Sequence, residues 1–424
     1  MLLAFAVRPS IGAAGGASLL DAALLMSGGA ILLQLIPLPA PLVARIAPHE
    51  IALRSALWLG SPGAGTPGHL LFYPLTVSPP DTWVSLGIVA AAILLFWTCR
   101  QICEEGGSRQ IVRAVGVIGL LASLAAIVQH AQNQELLYGY WRPLDAGARP
   151  FGPFVNRNHF ATWVVMACPL VLGYMVARRR VHRPRSEFAQ QLVFALKQLG
   201  SLSTWLAASA CVMTIAMLAS TSRSGAIALA AALVAAGWLG RGRRRSHGRF
   251  GAVLVAVLLL VVVLVFVNLN ALLLRVDETL AVGGRRGATW QDTGAIIRDF
   301  WLTGTGLGTY PTAMLVYQQS DRMYFANQAH NHYLQLASEG GLLLVAPAVL
   351  VILAFAALFR RRLAADTSDW CWLRIGAGAG LVGVGVQSVW ETGLRMPGNA
   401  MLCAVLAAIA VHSSADPASP RPSR

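Results

Sequence analysis

Long apolar runs separated by short polar connections dominate the chain, and many of them approach the roughly 20 residues a helix needs to cross a hydrocarbon core. They predict helical spans over Ser18–Pro37, Asp81–Trp97, Ile111–His130, His159–Ala177, Ser203–Ala219, Gly225–Leu239, Gly251–Val267, Leu342–Leu358, Arg374–Val389 and Asn399–His412. Local punctuation fixes several ends. The run IPLPAP closes the first span, and Asp81 and Thr82 after two prolines open the second. Between them, His49–Val77 reads as an irregular external loop, and TSRSG is so short a link that it holds Arg223 at or just inside the membrane surface. Met1–Gly16 is Gly-rich and lacks a cleavage-site pattern, which predicts a cytoplasmic or interfacial start, and the Pro- and Ser-rich Ser413–Arg424 predicts a disordered tail. The expected fold is all-α: a polytopic membrane bundle of about ten spans. It divides into N-terminal membrane helices (1–273), one large loop with short amphipathic helices (274–340) and C-terminal membrane helices (341–412).

Composition agrees with that pattern and removes the main alternative. With 56% apolar and 12% charged residues and a mean hydropathy of +0.60, the chain is not a soluble domain. The net charge of +15 resembles a nucleic-acid footprint, but the cations cluster in short loops as orientation signals do, so no nucleic-acid partner is expected. The loops holding Arg100, Arg109 and Arg113, then Arg178–Arg185, Arg241–Arg249 and Arg360–Arg362, all fall on one side under alternating spans. The positive-inside rule makes that side the cytoplasm. Arg157, Arg223, Arg285, Arg286, His330, Glu391 and Arg395 then share the opposite, external or periplasmic face. The six cysteines are scattered without a CxxC, as packing residues are.

The stretch from Leu274 to Gly340 is neither greasy enough for lipid nor basic enough for a cytoplasmic tether. Arg285 and Arg286 open an amphipathic run, with Trp290, Ile297 and Trp301 on one stripe and Asp292, Arg298 and Asp299 opposite. By periodicity alone this is equally an interfacial helix with a basic start. A cation beside hydrocarbon costs about 2.5–3.5 kcal/mol unless it faces a polar cavity, a partner or the headgroups, so Arg223 is either a site residue or a snorkelling helix end. Guanidinium forks onto phosphate oxygens, and separate Arg sites on one face suggest a phosphate-bearing ligand at the membrane surface. His330 and His332 stand at i, i+2 and do not share a helix face, which argues against a joint metal site. One of them could act as a general base near neutral pH, although a His at a helix start more often caps or hydrogen-bonds. GTGLGT lacks a preceding strand and a following GK[ST], so it reads as a turn that returns the chain. No metal-binding motif is present; neither metal nor cofactor is expected.

The runs PFVNRNHFATW, STSRSGAIALA, RGATW, DFWLTGTGLGTY and QAHNHYLQLASEGGL, with the softer IPLP, LTVSPPDTW and VWETGLRMPGNA, resemble in order and spacing the O-antigen ligase and polymerase superfamily. The resemblance covers most of the chain. It implies a metal-independent membrane glycosyltransferase that takes a glycan from an undecaprenyl diphosphate carrier to lipid A core, another glycan or a protein. It also implies catalytic roles for Arg223 and Arg286, which would hold and neutralise the departing diphosphate, and for His330, which would orient or deprotonate the acceptor hydroxyl. Arg285, Arg157, Asn158, Asn331 and His332 are the expected substrate contacts. Where many relatives carry Asp, this chain has Glu391, with Arg395 as its expected partner. A transporter or flippase of a lipid-linked or anionic solute would use the same arginines without chemistry, but the chain has no inverted repeat and no charge deep within a span. Ligase, polymerase and protein-glycosylating transferase share these motifs.

The phase of the basic loops makes the topology testable with single cysteines in a Cys-free background. A membrane-impermeant thiol reagent applied from the periplasm should label position 320 and spare position 246. Labelling at 246 would reverse the orientation and remove the argument for a periplasmic site.

Overall fold

The structure, a computed structural model, describes residues 18–58, 71–132, 136–143, 148–181, 202–241, 276–320, 322–323 and 325–413. The span expected over Gly251–Val267, the start at Met1–Gly16 and nearly all of the C-terminal tail lie outside them. Each of the other expected spans coincides with a helix: α1 (Ser18–Leu35), α4 (Pro79–Glu104), α5 (Ser108–Gln132), α6 (Arg157–Val181), α7 (Leu202–Ala219), α8 (Arg223–Leu239), α11 (His332–Ala365), α12 (Cys371–Gln387) and α13 (Pro397–Val411). Of these, α4, α5, α6 and α11 are long and apolar enough to cross a membrane, while α1, α7, α8 and α13 are shorter apolar helices. The region expected as an irregular loop between the first two spans is more ordered than its Pro and Gly content suggests. Its described residues include α3 (Glu50–Leu57) and β2 (Phe72–Tyr73), which pairs antiparallel with β1 (Leu38–Pro39) ahead of the loop, where α2 (Ala40–Ile46) also lies.

Helix α6 is the centre of the bundle, buried along most of its length against α12, α7, α8, α5 and α13. Small residues let it approach α12, as they do between membrane helices where no water is squeezed out and packing itself must hold the pair. A Cβ at Gly173 would lie 2.3 Å from the carbonyl of Trp372, and one at Gly376 would lie 2.4 Å from the carbonyl of Pro169. Further along, Gly380 abuts Met166 and Gly383 abuts Val165 and Ala228, so the glycine face of α12 also draws α8 against α6. The chain has buried charge that the sequence reading did not foresee: Asp21 of α1 accepts from Arg100 and Trp97 of α4. Near that same end, Arg374 of α12 donates to the carbonyls of Ala410 and His412 and to Asp366, closing the end of α13.

The opposite end carries a cap. Helix α9 (Val276–Asp299), α10 (Tyr310–Tyr317) and α3 share a small core of Leu53, Ile296, Phe300, Tyr310 and Met314. This corrects the expected amphipathic register. The buried stripe of α9 is Asp292, Thr293 and Ile296, continued by Phe300 just past its end, whereas Trp301 is exposed. Asp292, expected on the polar face, accepts from the backbone and hydroxyl of Ser320, and those bonds make its burial tolerable. Helix α9 also begins at Val276, so the Arg pair lies within it rather than at its start. Burial raises the carboxyl of Glu50 to about 7 against the lowering influence of Arg54, whose guanidinium also donates to the carbonyls of Pro74 and Thr76.

Bundle and cap are joined where α11 breaks. Gly341 has φ 52° and ψ −163°, a conformation essentially confined to glycine. The backbone groups released there are satisfied by the glycine turn: Leu342 and Leu343 donate to Trp301 and Leu302, and Thr305 and Gly306 donate to Ser338 and Glu339. Gln34, fully buried at the end of α1, donates to the carbonyls of Thr303 and Glu339 and accepts from Leu307 N–H. The side chain of a single residue thus ties α1, the turn and α11.

A Cβ at Gly341 would sit 2.4 Å from the backbone nitrogen of Gly304, whereas one at Gly294 of α9 meets nothing within 4 Å. Gly341→Ala should therefore lose at least about 1–3 kcal/mol through backbone strain alone. Gly294→Ala should be neutral or gain up to about 1 kcal/mol. Apparent melting temperatures of the two purified variants, measured in one detergent, check the contrast; equal melting would contradict the account of the break.

Candidate active site

The cap end gathers the start of α6, the α7–α8 link, α9, the start of α11 and the connection between α12 and α13. The centre of this gathering is Glu391, which lies just past α12 and is 1% exposed. Its Oε1 accepts from Asn158 Nδ2 at 2.8 Å and from Arg286 Nη2 at 3.2 Å. Its Oε2 faces His330 Nδ1 at 3.8 Å, and neither of these two atoms has a hydrogen-bond partner among the described residues. One carboxylate thus contacts α6, α9 and the segment before α11, elements far apart in sequence.

Each partner is positioned by its own local chemistry. Asn158 stands in the first turn of α6, where its backbone N–H donates to Asn156 Oδ1 and its carbonyl accepts from Thr162. Arg286 is carried by α9, which is pinned by Trp290 Nε1 donating to the carbonyl of Ala329, immediately before His330. His330 adopts φ 48°, a left-handed conformation unusual for a residue with a side chain. Asn331 follows as the N-cap of α11, its Oδ1 accepting from Tyr333 and Leu334 N–H. The alternative role considered for His330, that of a cap, belongs to Asn331. His330 instead turns toward Glu391 while keeping a quarter of its side chain exposed, and Arg286 is about as exposed.

The structure corrects the pairing of the acid. Arg395, expected beside Glu391, donates to Glu339 Oε1 at 3.1 Å, and the partner of Glu391 is Arg286. Glu339 is buried on α11 and also accepts from the backbone of Tyr310 and from Gln335. Of the other expected site residues, Arg157 donates to Thr221 Oγ1 at 2.6 Å and so binds the α7–α8 link to the start of α6. Ser222 caps α8 through Gly225, and Arg223 begins that helix as an exposed residue of the same end. His332 has its Nδ1 buried and its backbone N–H bonded to Ser388, a structural position. Arg285 lies on α9 with its side chain outside the described residues. Among the described residues, no group of three or more His, Cys, Asp or Glu is arranged to hold a metal ion.

Sequence reasoning noticed Glu391 only as an acid in a familiar position, and it missed Glu339 entirely. The signal available for both was a carboxylate in or beside an apolar helix, a placement that demands a paired cation.

A polytopic helical bundle of long apolar helices, with an arginine, a histidine and a buried carboxylate converging at one end, defines an integral membrane protein. The family described as O-antigen ligase matches residues 208–349, from within α7 through the first half of α11. The matched segment contains Arg223, Arg286 and His330 but not Asn158 or Glu391. No curated protein matches the chain. The family indicates an enzyme with O-antigen ligase-type or polymerase-type activity in polysaccharide biosynthesis, acting on a lipid-linked glycan donor and an acceptor.

Proposed function

We propose that the protein transfers a glycan from an undecaprenyl diphosphate carrier to an acceptor hydroxyl at the periplasmic face of the inner membrane, without a metal ion. The observation that carries the reading is the buried Glu391, which holds Arg286 and faces His330 while leaving both partly exposed. Arg286 offers the donors not engaged by Glu391 to the diphosphate, and Arg223, exposed at the N-terminus of α8, supplies further positive charge at the same end. With Nδ1 turned toward Glu391, His330 has Nε2 for the acceptor. The acceptor oxygen attacks the anomeric carbon of the first sugar as its proton passes to His330. The carbon–oxygen bond to the diphosphate breaks, and its electron pair leaves with the carrier diphosphate, where Arg286 meets the growing charge. Glu391 is the orienting group: a fixed anion behind the imidazole stabilises the imidazolium formed during transfer.

Two substitutions separate this reading from simple surface charge. Arg286→Lys keeps the charge and loses the fork, so it should impair turnover of carrier-linked glycan far more than Arg322→Lys. His330→Ala should lower turnover roughly 10²- to 10⁴-fold, the usual contribution of a general base, with normal protein level and near-normal melting because strain at φ 48° is not aggravated. His332→Ala is the comparison, and chelator should leave turnover unchanged. If His332→Ala abolishes transfer and His330→Ala does not, the base is wrongly assigned; if magnesium or manganese restores activity lost to chelator, the metal-free mechanism fails.

A further inference from the structure

The connection from Glu391 to Arg395 sends two charged side chains in different directions, and the second belongs to no role described above. Glu391 reaches Arg286 of α9. Four residues on, Arg395 closes a short 3-10 turn (Gly393–Arg395) and reaches Glu339 of α11. The two ion pairs are built alike. In each, a carboxylate that is almost fully buried holds a guanidinium through one oxygen, and the guanidinium remains about a quarter exposed.

The Glu339 pair differs from an ordinary buried salt bridge in how little of Arg395 it uses. Glu339 takes hydrogen bonds from Tyr310 N–H, from Gln335 Nε2 and from the backbone at Gly308, so a rigid framework of α10, α11 and the glycine turn already satisfies much of the carboxylate. Arg395 contributes one N–H, through Nη1, and has no other acceptor among the described residues. A guanidinium has five such donors. A buried cation needs its anion, but a partly exposed one held by a single hydrogen bond has donors in hand for a second anion. Its neighbours place it beside the proposed site. Arg395 lies within electrostatic reach of His332, two residues from His330, and the intervening Thr392 donates to Gln328. Asn399, in the first turn of α13, donates to the carbonyls of His159 and Gly393, fixing the 3-10 turn against the residue that follows Asn158.

We propose that Arg395 is a second donor-binding guanidinium, which takes the phosphate of the carrier diphosphate that Arg286 does not, and that Glu339 is its positioning residue. This rests on the reading of the site as a lipid-diphosphate glycosyltransferase. A diphosphate has two phosphoryl groups, and a guanidinium held near each end of the 391–395 connection, Arg286 by Glu391 and Arg395 by Glu339, offers each group its own fork. A lipid monophosphate has only one group to offer, so the second arginine distinguishes the carrier diphosphate from its monophosphate form.

The test is binding of undecaprenyl diphosphate and undecaprenyl monophosphate to the full chain in nanodiscs, measured side by side. Wild type should prefer the diphosphate. Arg395→Gln should weaken diphosphate binding roughly 10- to 100-fold, the scale of a lost charge-assisted contact, and leave monophosphate binding unchanged. Arg286→Gln should weaken both. Because Arg395→Gln leaves Glu339 buried without its cation, the double variant Glu339→Gln, Arg395→Gln repeats the measurement with a neutral amide pair in place of the ion pair. Loss of diphosphate preference in both variants supports the assignment. Equal weakening of the two lipids, or no change in either, overturns it while the donor reading stands on Arg286. If wild type binds neither lipid, the donor reading itself fails and the role of Arg395 falls with it.

Discussion

A carboxylate buried to 1% exposure at the end of a bundle of apolar helices is the constraint on which the rest of this arrangement depends. An unpaired charge in such a position is costly, and removing one partner of a buried pair typically costs about 3–5 kcal/mol. Glu391 must therefore be met by donors, and those it has, Asn158 and Arg286, come from α6 and α9. Satisfying one side chain fixes the start of the most buried helix against the helix that carries the proposed phosphate ligand. His330 then enters on the remaining oxygen at a distance too long for a hydrogen bond, in a backbone conformation that side chains seldom adopt. Strain and incomplete contact at one residue are the marks of a group held for use rather than for stability.

The same economy operates at the break in α11. Helix ends within a membrane protein leave backbone groups that water cannot reach, so a broken helix is tolerated only where protein supplies the partners. Here the glycine turn supplies them, and Gly304, Gly306 and Gly308 all take positive φ to come close enough. Glu339 beside the break gathers the start of α10 and the turn, then reaches Arg395 across the connection that follows α12. The cap is therefore joined to the bundle by polar contacts with defined geometry, while its own small apolar core keeps α9 and α10 together.

Much of the fold was legible because apolar run length and Pro punctuation report helices directly; the coincidence of α4, α5 and α6 with the expected spans follows from that alone. Register was less legible. Periodicity assigned Trp290, Ile297 and Trp301 to one stripe of α9 with Asp292 opposite, but Asp292 is inside because Ser320 satisfies it, and a hydrogen bond across 28 residues leaves no trace in a hydrophobic pattern. The site showed the same division. Arg286 and His330 stood out as residue types in a plausible segment, yet the partner of Glu391 was sought four residues away at Arg395 when it lies on α9. Sequence proximity is a poor guide to pairing once a chain turns sharply, as it does through Gly393–Arg395. The likeness to a known family supplied candidate roles and drew attention to Glu391; the geometry supplied the partners that Glu391 brings together.

The central claim is that Arg286 and Glu391 act as one unit, and a double-mutant cycle on initial glycan-transfer rates tests it most directly. Residues acting as a unit are strongly non-additive, so the double variant Arg286→Gln, Glu391→Gln should be no slower than the slower single variant. Losses that multiply, with the double variant slower by the product of the two single effects, would show that the residues act independently and would contradict the account.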